Sequence, residues 1–272
     1  MRINGKSIAS NLVLIIVSLL ILGPLFLILN ISMKTTEEFL NNPVTIFKTL
    51  NWSNFKVAWI QAEMKVYFKN SFIYTIFGAL GTCVIATLAA YPIARKHFKG
   101  SNLIYLLFLS AIFLPGGLVP LLFIMKFMGF TNTYYGFILM KIAYGLPIAI
   151  FILVGFVKGL PKELDEAAAI DGCGYFRYIL TVVFPLIKPA FLTVAMLSAI
   201  GIWNDFINPY LFITDKEMRP LTSGLYMFFG QYSTNWTVLS AGIILVAAPL
   251  VLLYFFLQRF IISGVTSGAV KG

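Results

Sequence analysis

Histidine, cysteine and charge are all scarce in this 272-residue sequence: one His, two Cys, and Asp, Glu, Lys and Arg together only 11%. The lone histidine, His97, sits among Arg95, Lys96 and Lys99 with no second His or Cys at metal-ligand spacing, so it reads as a solvated loop residue. Cys83 falls inside a long apolar run and Cys173 in a polar loop. That placement suits neither a disulfide framework nor a zinc site, and both read as small packing residues. Gly5, Lys6 and Ser7 spell the end of a phosphate-binding loop, but the glycine the motif needs ahead of them is missing. The chain is therefore expected to hold no nucleotide that way, and it offers no catalytic residue and no metal ligand. The alternating polarity of an outer-membrane barrel is lacking as well.

What the sequence has instead is apolar length. Hydrophobic residues make up 60% of it and its mean hydropathy is +0.91, outside the range of a water-soluble domain. Crossing about 30 Å of hydrocarbon takes about 20 apolar residues. The qualifying runs are Leu12 to Leu29, Ser71 to Tyr91, Leu103 to Met125, Phe137 to Val157, Pro189 to Ile213 and Val238 to Leu257. Runs this continuously apolar satisfy their backbone groups in lipid only as helices. The expected fold is an all-α integral membrane protein with six transmembrane helices, one transmembrane domain over residues 1–272.

The net charge of +10 comes from Lys and Arg scattered through short loops, not gathered in a stripe with interleaved aromatics, which argues against nucleic acid as a partner. It reads as a topology signal. Arg2 and Lys6 precede the first span, and Arg95, Lys96 and Lys99 precede the third, which favours cytoplasmic placement of both. Both termini are then cytoplasmic, the carboxyl end with Arg259 and Lys271. Lys34, Lys48, Lys56, Lys65 and Lys69 in the outward loop work against this count. The first span reads as a retained anchor, since no A-x-A-like cleavage site follows it.

Between the fourth and fifth spans lies a polar segment, about 158–188, rich in small residues. Pro161 suits the opening of a short helix, where a missing amide is tolerated. Glu163, Asp165 and Glu166 place negative charge on its first turns, complementing the helix dipole and, pointing outward, meeting a basic partner. Ala167, Ala168 and Ala169 form helix with little bulk, so the helix can lie deep in a groove, and Gly172 can supply a left-handed cap. Tyr175 to Val183 fits a second short helix, with Phe176 and Ile179 or Leu180 on one side and Pro185 ending it. Composition alone would equally suit a loop that merely caps the membrane helices.

Spacing favours docking. The order of Glu166, Ala167, Ala168, Gly172 and Pro185 resembles the EAA loop of importer permeases of the ATP-binding cassette class, with Val182 and Phe184 in place of its aliphatic pair. Ile170, Asp171 and Gly172 resemble the version of the loop found in carbohydrate permeases. The resemblance extends from the first span to the tail Ser263 to Gly272, and it is to the smaller permease subunit of the maltose and multiple-sugar type. It implies a bacterial cytoplasmic-membrane subunit without catalysis of its own that moves a sugar by alternating access. The implied partners are a second, homologous permease in a heterodimer, two ATPase subunits that bind ATP and Mg, and an extracytoplasmic solute-binding protein. It further implies that Glu166, Ala167, Ala168, Asp171 and Gly172 couple to the ATPase. The tail residues Gly268, Ala269, Val270, Lys271 and Gly272, about 259–272 in all being cytoplasmic, would reach between the ATPase subunits. A frayed glycine-rich terminus is the alternative for the tail. A polyol, sugar phosphate or polyamine permease is the alternative within the class, and a stand-alone channel or ion-coupled carrier the alternative outside it.

Candidate pore residues come from interrupted spans, because irregular or polar backbone at membrane depth is tolerated only where it lines water or is buried in protein. Leu114 to Pro120 breaks the third span at Gly116 and Gly117. Trp203 to Tyr210 places Asn204, Asp205, Asn208 and Tyr210 in the fifth, groups that suit hydroxyl-rich solutes or equally the outer headgroup level. Lys141, near the start of the fourth span, is expected to snorkel outward. Asp215 to Tyr232 is an outward aromatic segment, suited either to a partner contact or to an interfacial belt.

Overall fold

The computed structural model describes residues 5–114, 116–225 and 235–269, with side chains described between 10 and 256. Its helices are α1 Gly5–Ser32, α2 Thr36–Asn41, α3 Ser53–Gln61, α4 Met64–Arg95, α5 Ser101–Phe113, α6 Leu118–Phe127 and α7 Tyr134–Lys158. There follow α8 Glu163–Ile170, α9 Tyr175–Tyr178, α10 Phe184–Trp203, α11 Ile207–Phe212, α12 Leu221–Gly224 and α13 Trp236–Ala269. Among the described residues five helices are long and apolar enough to cross a membrane, and α5 with α6, bent by 119°, brings the number to six when the pair is taken as one span. The expected six-helix architecture is therefore present.

The chain forms two compact units. One comprises Met1–Lys65 and Ser223–Pro249. The most apolar 18-residue stretch of its α1, within Ser10–Ser32, has a mean hydropathy of 3.2 and no buried residue, as suits a helix facing lipid or another chain, while Asn30 and Ser32 at its end are buried. After α1 the backbone is folded back by polar side chains. Asn54 Nδ2 donates to the carbonyls of Ser32 and Lys34, both at 2.8 Å. Lys34, fully buried, donates through Nζ to the carbonyls of Asn42 at 2.8 Å and Pro43 at 3.2 Å. Ser32 and Lys34 are buried, so their carbonyls would otherwise be unmet.

The other unit, Val66–Thr222 with Leu250–Gly272, holds two apolar cores. One joins Cys83, Ala86 and Ala90 of α4 to Ile150, Leu153 and Val157 of α7 and to Ile187, Ala190 and Val194 of α10. The other gathers Tyr74, Phe137, Met140, Ile202 and Phe212. Between α4 and α7 the packing is close because small residues sit at the contact: a Cβ on Gly145 would fall 2.8 Å from Thr82 Cγ2, and one on Gly81 2.4 Å from Ile142 Cδ1. Small residues let membrane helices approach where no hydrophobic driving force would push them together. One end of the unit is tied by hydrogen bonds. Asn70 Nδ2 donates to the carbonyls of Glu217 and Arg219, and Tyr74 Oη to that of Met218.

Two sequence expectations are corrected here. Pro185 does not end a short second helix. The helix that starts at Tyr175 passes through a π turn, Ile179–Val183, and continues to Trp203. Within the π turn the Phe184 amide bonds to the Ile179 carbonyl, a wider step that lets the chain absorb a proline next to it, while burial of Ile187 and Ala190 holds the continuation in place. Nor does the fifth span run to Ile213. The helix stops at Trp203 and restarts as α11, because the Asp205 carboxylate accepts the Asn208 amide at 3.2 Å and offers the backbone a local alternative to helix.

Gly136 tests the packing. A Cβ there would lie 2.2 Å from the Phe130 carbonyl oxygen and 2.6 Å from Thr133 Oγ1, which caps α7. Gly136→Ala is expected to cost about 1–3 kcal/mol through overpacking, seen as a lowered melting temperature of the detergent-purified protein.

Candidate functional site

Helix α8 is built from the residues that its sequence suggests. Its first turn carries Glu163, Asp165 and Glu166, at the end of the helix dipole that favours negative charge. Its N-cap is Lys162, so Pro161 stands just ahead of the helix and not inside it. Gly172 has φ +65°. Its amide bonds to the Ala169 carbonyl at 3.2 Å and that of Cys173 to the Ala168 carbonyl at 2.9 Å, the paired pattern of a Schellman cap. A Cβ on Gly172 would meet no atom within 4 Å, so backbone angle alone selects glycine here.

The two faces of α8 differ. Glu163, Glu166, Ala167, Ala169, Asp171 and Gly172 are exposed, and Ile170 is 87% exposed. Ala168 and Cys173 turn inward and pack against the core that joins α4, α7 and α10. Beside α8, Phe176 at 67% and Leu180 at 64% share one exposed side, whereas Ile179 is buried. The outer surface thus presents carboxylates, small residues and three apolar side chains. Ile170 escaped the sequence reading as a contact residue, because nothing in the spacing separates an exposed isoleucine from a core one.

Asp165 departs from expectation, since it does not point outward. Arg95 Nε lies 2.7 Å from Asp165 Oδ2, an ionic contact and not a well-aligned hydrogen bond. Tyr91 and Tyr178 both donate to Asp165 Oδ1, at 3.1 and 2.5 Å. The Arg95 guanidinium also donates to the carbonyls of Leu160 and Pro161, and His97 stands edge-on to the Tyr91 ring with centroids 5.1 Å apart.

The second polar cluster lies at the break after α10. Lys141 does not snorkel: it is 8% exposed and pairs with Asp205 Oδ2. Its aliphatic stem leaves α7 among buried residues, and the nearest charge is the Asp205 carboxylate. Asn208 Nδ2 donates to the same Asp205 oxygen at 2.8 Å, and Thr222 Oγ1 donates to the Asp205 carbonyl at 2.8 Å. Of the candidate pore residues, Asp205 and Asn208 are thus brought together and engaged internally. Asn204 and Tyr210 are exposed, and Tyr210 stacks on Phe206. Gly116 and Gly117 stand at the break between α5 and α6, where a Cβ on Gly116 would lie 3.6 Å from the Tyr144 hydroxyl. In the tail, Gly268 and Ala269 close α13. Val270, Lys271 and Gly272, like Pro115 and most of the outward aromatic segment, Tyr226 to Tyr232, lie outside the described residues.

Residues 3–267 match the family model described as binding-protein-dependent transport system inner membrane component. The chain belongs to this family. The transport component is 34% identical to a probable starch degradation products transport system permease of Thermoanaerobacterium thermosulfurigenes, over 94% of both chains. It is 34% identical to a melibiose/raffinose/stachyose import permease of Bacillus subtilis, over 92% of this chain and 91% of the relative. With a diacetylchitobiose uptake permease of Streptomyces coelicolor it shares 32% over 96% and 88%. Its fold matches that of a bacterial ABC transporter involved in alginate import, with TM-score 0.86 at 20% identity over 93% of this chain and 95% of the other.

The Lys141–Asp205 pair sets a stability test for this transport component. Lys141→Met leaves a buried carboxylate unpaired and is expected to cost about 3–5 kcal/mol, read as loss of folded protein from membranes. Lys141→Met combined with Asp205→Asn should recover most of it.

Proposed function

We infer that this chain is the permease subunit of an ATP-binding cassette importer that carries a sugar or oligosaccharide into the cytoplasm. The observation that carries the reading is the outer face of α8, where carboxylates, alanines and the Schellman-capped Gly172 stand exposed beside Ile170. A short helix with so little bulk fits a groove, and its anionic first turn favours a basic wall. The relatives named above, permeases for starch products, raffinose-type sugars and diacetylchitobiose, support saccharide as the solute class over polyol, sugar phosphate or polyamine.

In this reading the segment around α8 and both termini are cytoplasmic. Two ATPase subunits hold ATP and Mg beneath the membrane, a second homologous permease completes the pore, and a solute-binding protein delivers the sugar from outside. Closure of the ATPase pair moves α8 as a rigid piece, and alternating access follows from displacement of the helices packed on it. Asn204, Tyr210, Gly116 and Gly117 are the residues left to face solute. Asp205 and Lys141 neutralise each other, which favours a structural lock over the ion-coupling site that a stand-alone carrier would need.

Reconstituted with its partners, the chain is expected to drive ATP-dependent uptake from a panel of maltotriose, raffinose, arabinotriose and diacetylchitobiose. Nucleotide-independent flux through the chain alone would overturn the reading. Glu166→Lys reverses charge on the docking face. Gly172→Val forces a β-branched residue into the left-handed region at about 1–2 kcal/mol. Both are expected to lower co-purification of the ATPase at matched membrane expression, and retention by both would overturn the docking assignment. Removal of Gly268 to Gly272 should spare assembly and lower transport-coupled ATP turnover; unchanged turnover would make the tail a frayed end.

A further inference from the structure

Two membrane-spanning helices converge on one carboxylate, and a third is tied to the cluster through Arg95. Asp165 takes the ion pair from Arg95, the last residue of α4, and a hydrogen bond from Tyr91 one turn earlier. It takes a second hydrogen bond from Tyr178, in the helix that continues as α10. Through Arg95 the cluster also holds the Leu160 and Pro161 carbonyls, where the chain leaves α7. Tyr175 adds a bond from its hydroxyl to the Leu88 carbonyl of α4 at 3.0 Å. Tyr91 and Tyr178 are 4% and 5% exposed, and the Arg95 side chain 6%.

We propose that Asp165 is the positioning residue that transmits displacement of α8 to the second, fourth and fifth spans. The proposal rests on the ATP-driven reading above and specifies how it works. Asp165 and Ala168, three residues apart, share the inward side of α8, while Glu166, Ala167 and Ile170 occupy the outer side. Contact through Ala168 is a non-directional van der Waals contact, and a helix held only by alanines can roll or slide without breaking anything. A carboxylate held by donors from two helices cannot, because any other rotation leaves charged and hydroxyl groups buried without partners. Docking and transmission therefore belong to opposite faces of the same short helix and are separable by mutation.

The test uses the complete importer in lipid nanodiscs, with a fluorescent amino acid replacing Lys216, an exposed residue of the segment between the fifth and sixth spans. ATP with Mg is the probe. Asp165→Asn is expected to keep the ATPase content of the complex within about twofold of the parent, while the ATP-driven fluorescence shift falls about fivefold or more. Asp165→Glu, which restores the charge, should regain most of the shift, a rescue that a purely space-filling role would not give. An undiminished shift in Asp165→Asn would overturn the proposal, and so would loss of the ATPase from that complex, which would make Asp165 part of the docking face. Should Asp165→Asn fail to reach the membrane, Tyr91→Phe combined with Tyr178→Phe carries the same test with the ion pair intact. A parent complex with no ATP-driven shift would instead sink the importer reading and not this assignment alone.

Discussion

Hydrocarbon offers no hydrogen bond, so each peptide group at membrane depth must be met by the protein itself. Long helices meet this demand within themselves. Where the chain must stop being helical, a side chain has to take over. At the break after Trp203, Asp205 accepts the Asn208 amide while Thr222 covers the Asp205 carbonyl. Between α7 and α8, Arg95 covers two carbonyls in succession. Beyond α1, Lys34 and Asn54 do the same for the chain that turns back. Several polar side chains thus serve the backbone at helix ends, while others, such as Thr82, Thr87 and Thr193, are buried along the helices themselves.

The two acid–base clusters solve different problems with similar chemistry. Lys141 and Asp205 are both nearly dry, at 8% and 11% side-chain exposure, and Asn208 uses further carboxylate capacity. A buried pair of this kind is weak support for stability but a strong constraint on geometry, because separating the partners is costly. Asp165 is more open, at 21%, and lies on the underside of a helix whose other side is free. Its partners come from helices far apart in sequence. The first cluster is closed upon itself, whereas the second ties a surface helix to the spans beneath it.

Much of the architecture was legible in advance. Six spans, the interruption near Gly116 and Gly117, the short helix with its anionic first turn and the left-handed Gly172 all follow from local chemistry. Helix length answers to apolar run length, and a positive φ is open to glycine at no steric cost. Local reasoning failed at Pro185, where it expected a helix end. A proline removes one amide, but whether the helix stops depends on what the next turns bury, and Ile187 and Ala190 are buried. It left Ile179 and Leu180 as alternatives beside Phe176, because composition cannot tell the burial of one from the exposure of the other.

The sequence by itself determined that the chain spans a membrane as helices, that a small-residue acidic segment divides the fourth span from the fifth, and which residues could cap it. These are properties of neighbouring residues, set by periodicity, propensity and backbone angle. Tertiary structure alone decided which acid faces out and which faces in. Glu166 and Asp165 are adjacent and chemically alike, yet one is exposed and the other is held by Arg95, Tyr91 and Tyr178. Only the folded chain brings donors some 70 residues away in sequence to one carboxylate and leaves its neighbour free. The same holds for Lys141 and Asp205, whose charges in sequence suggested separate fates and in space cancel.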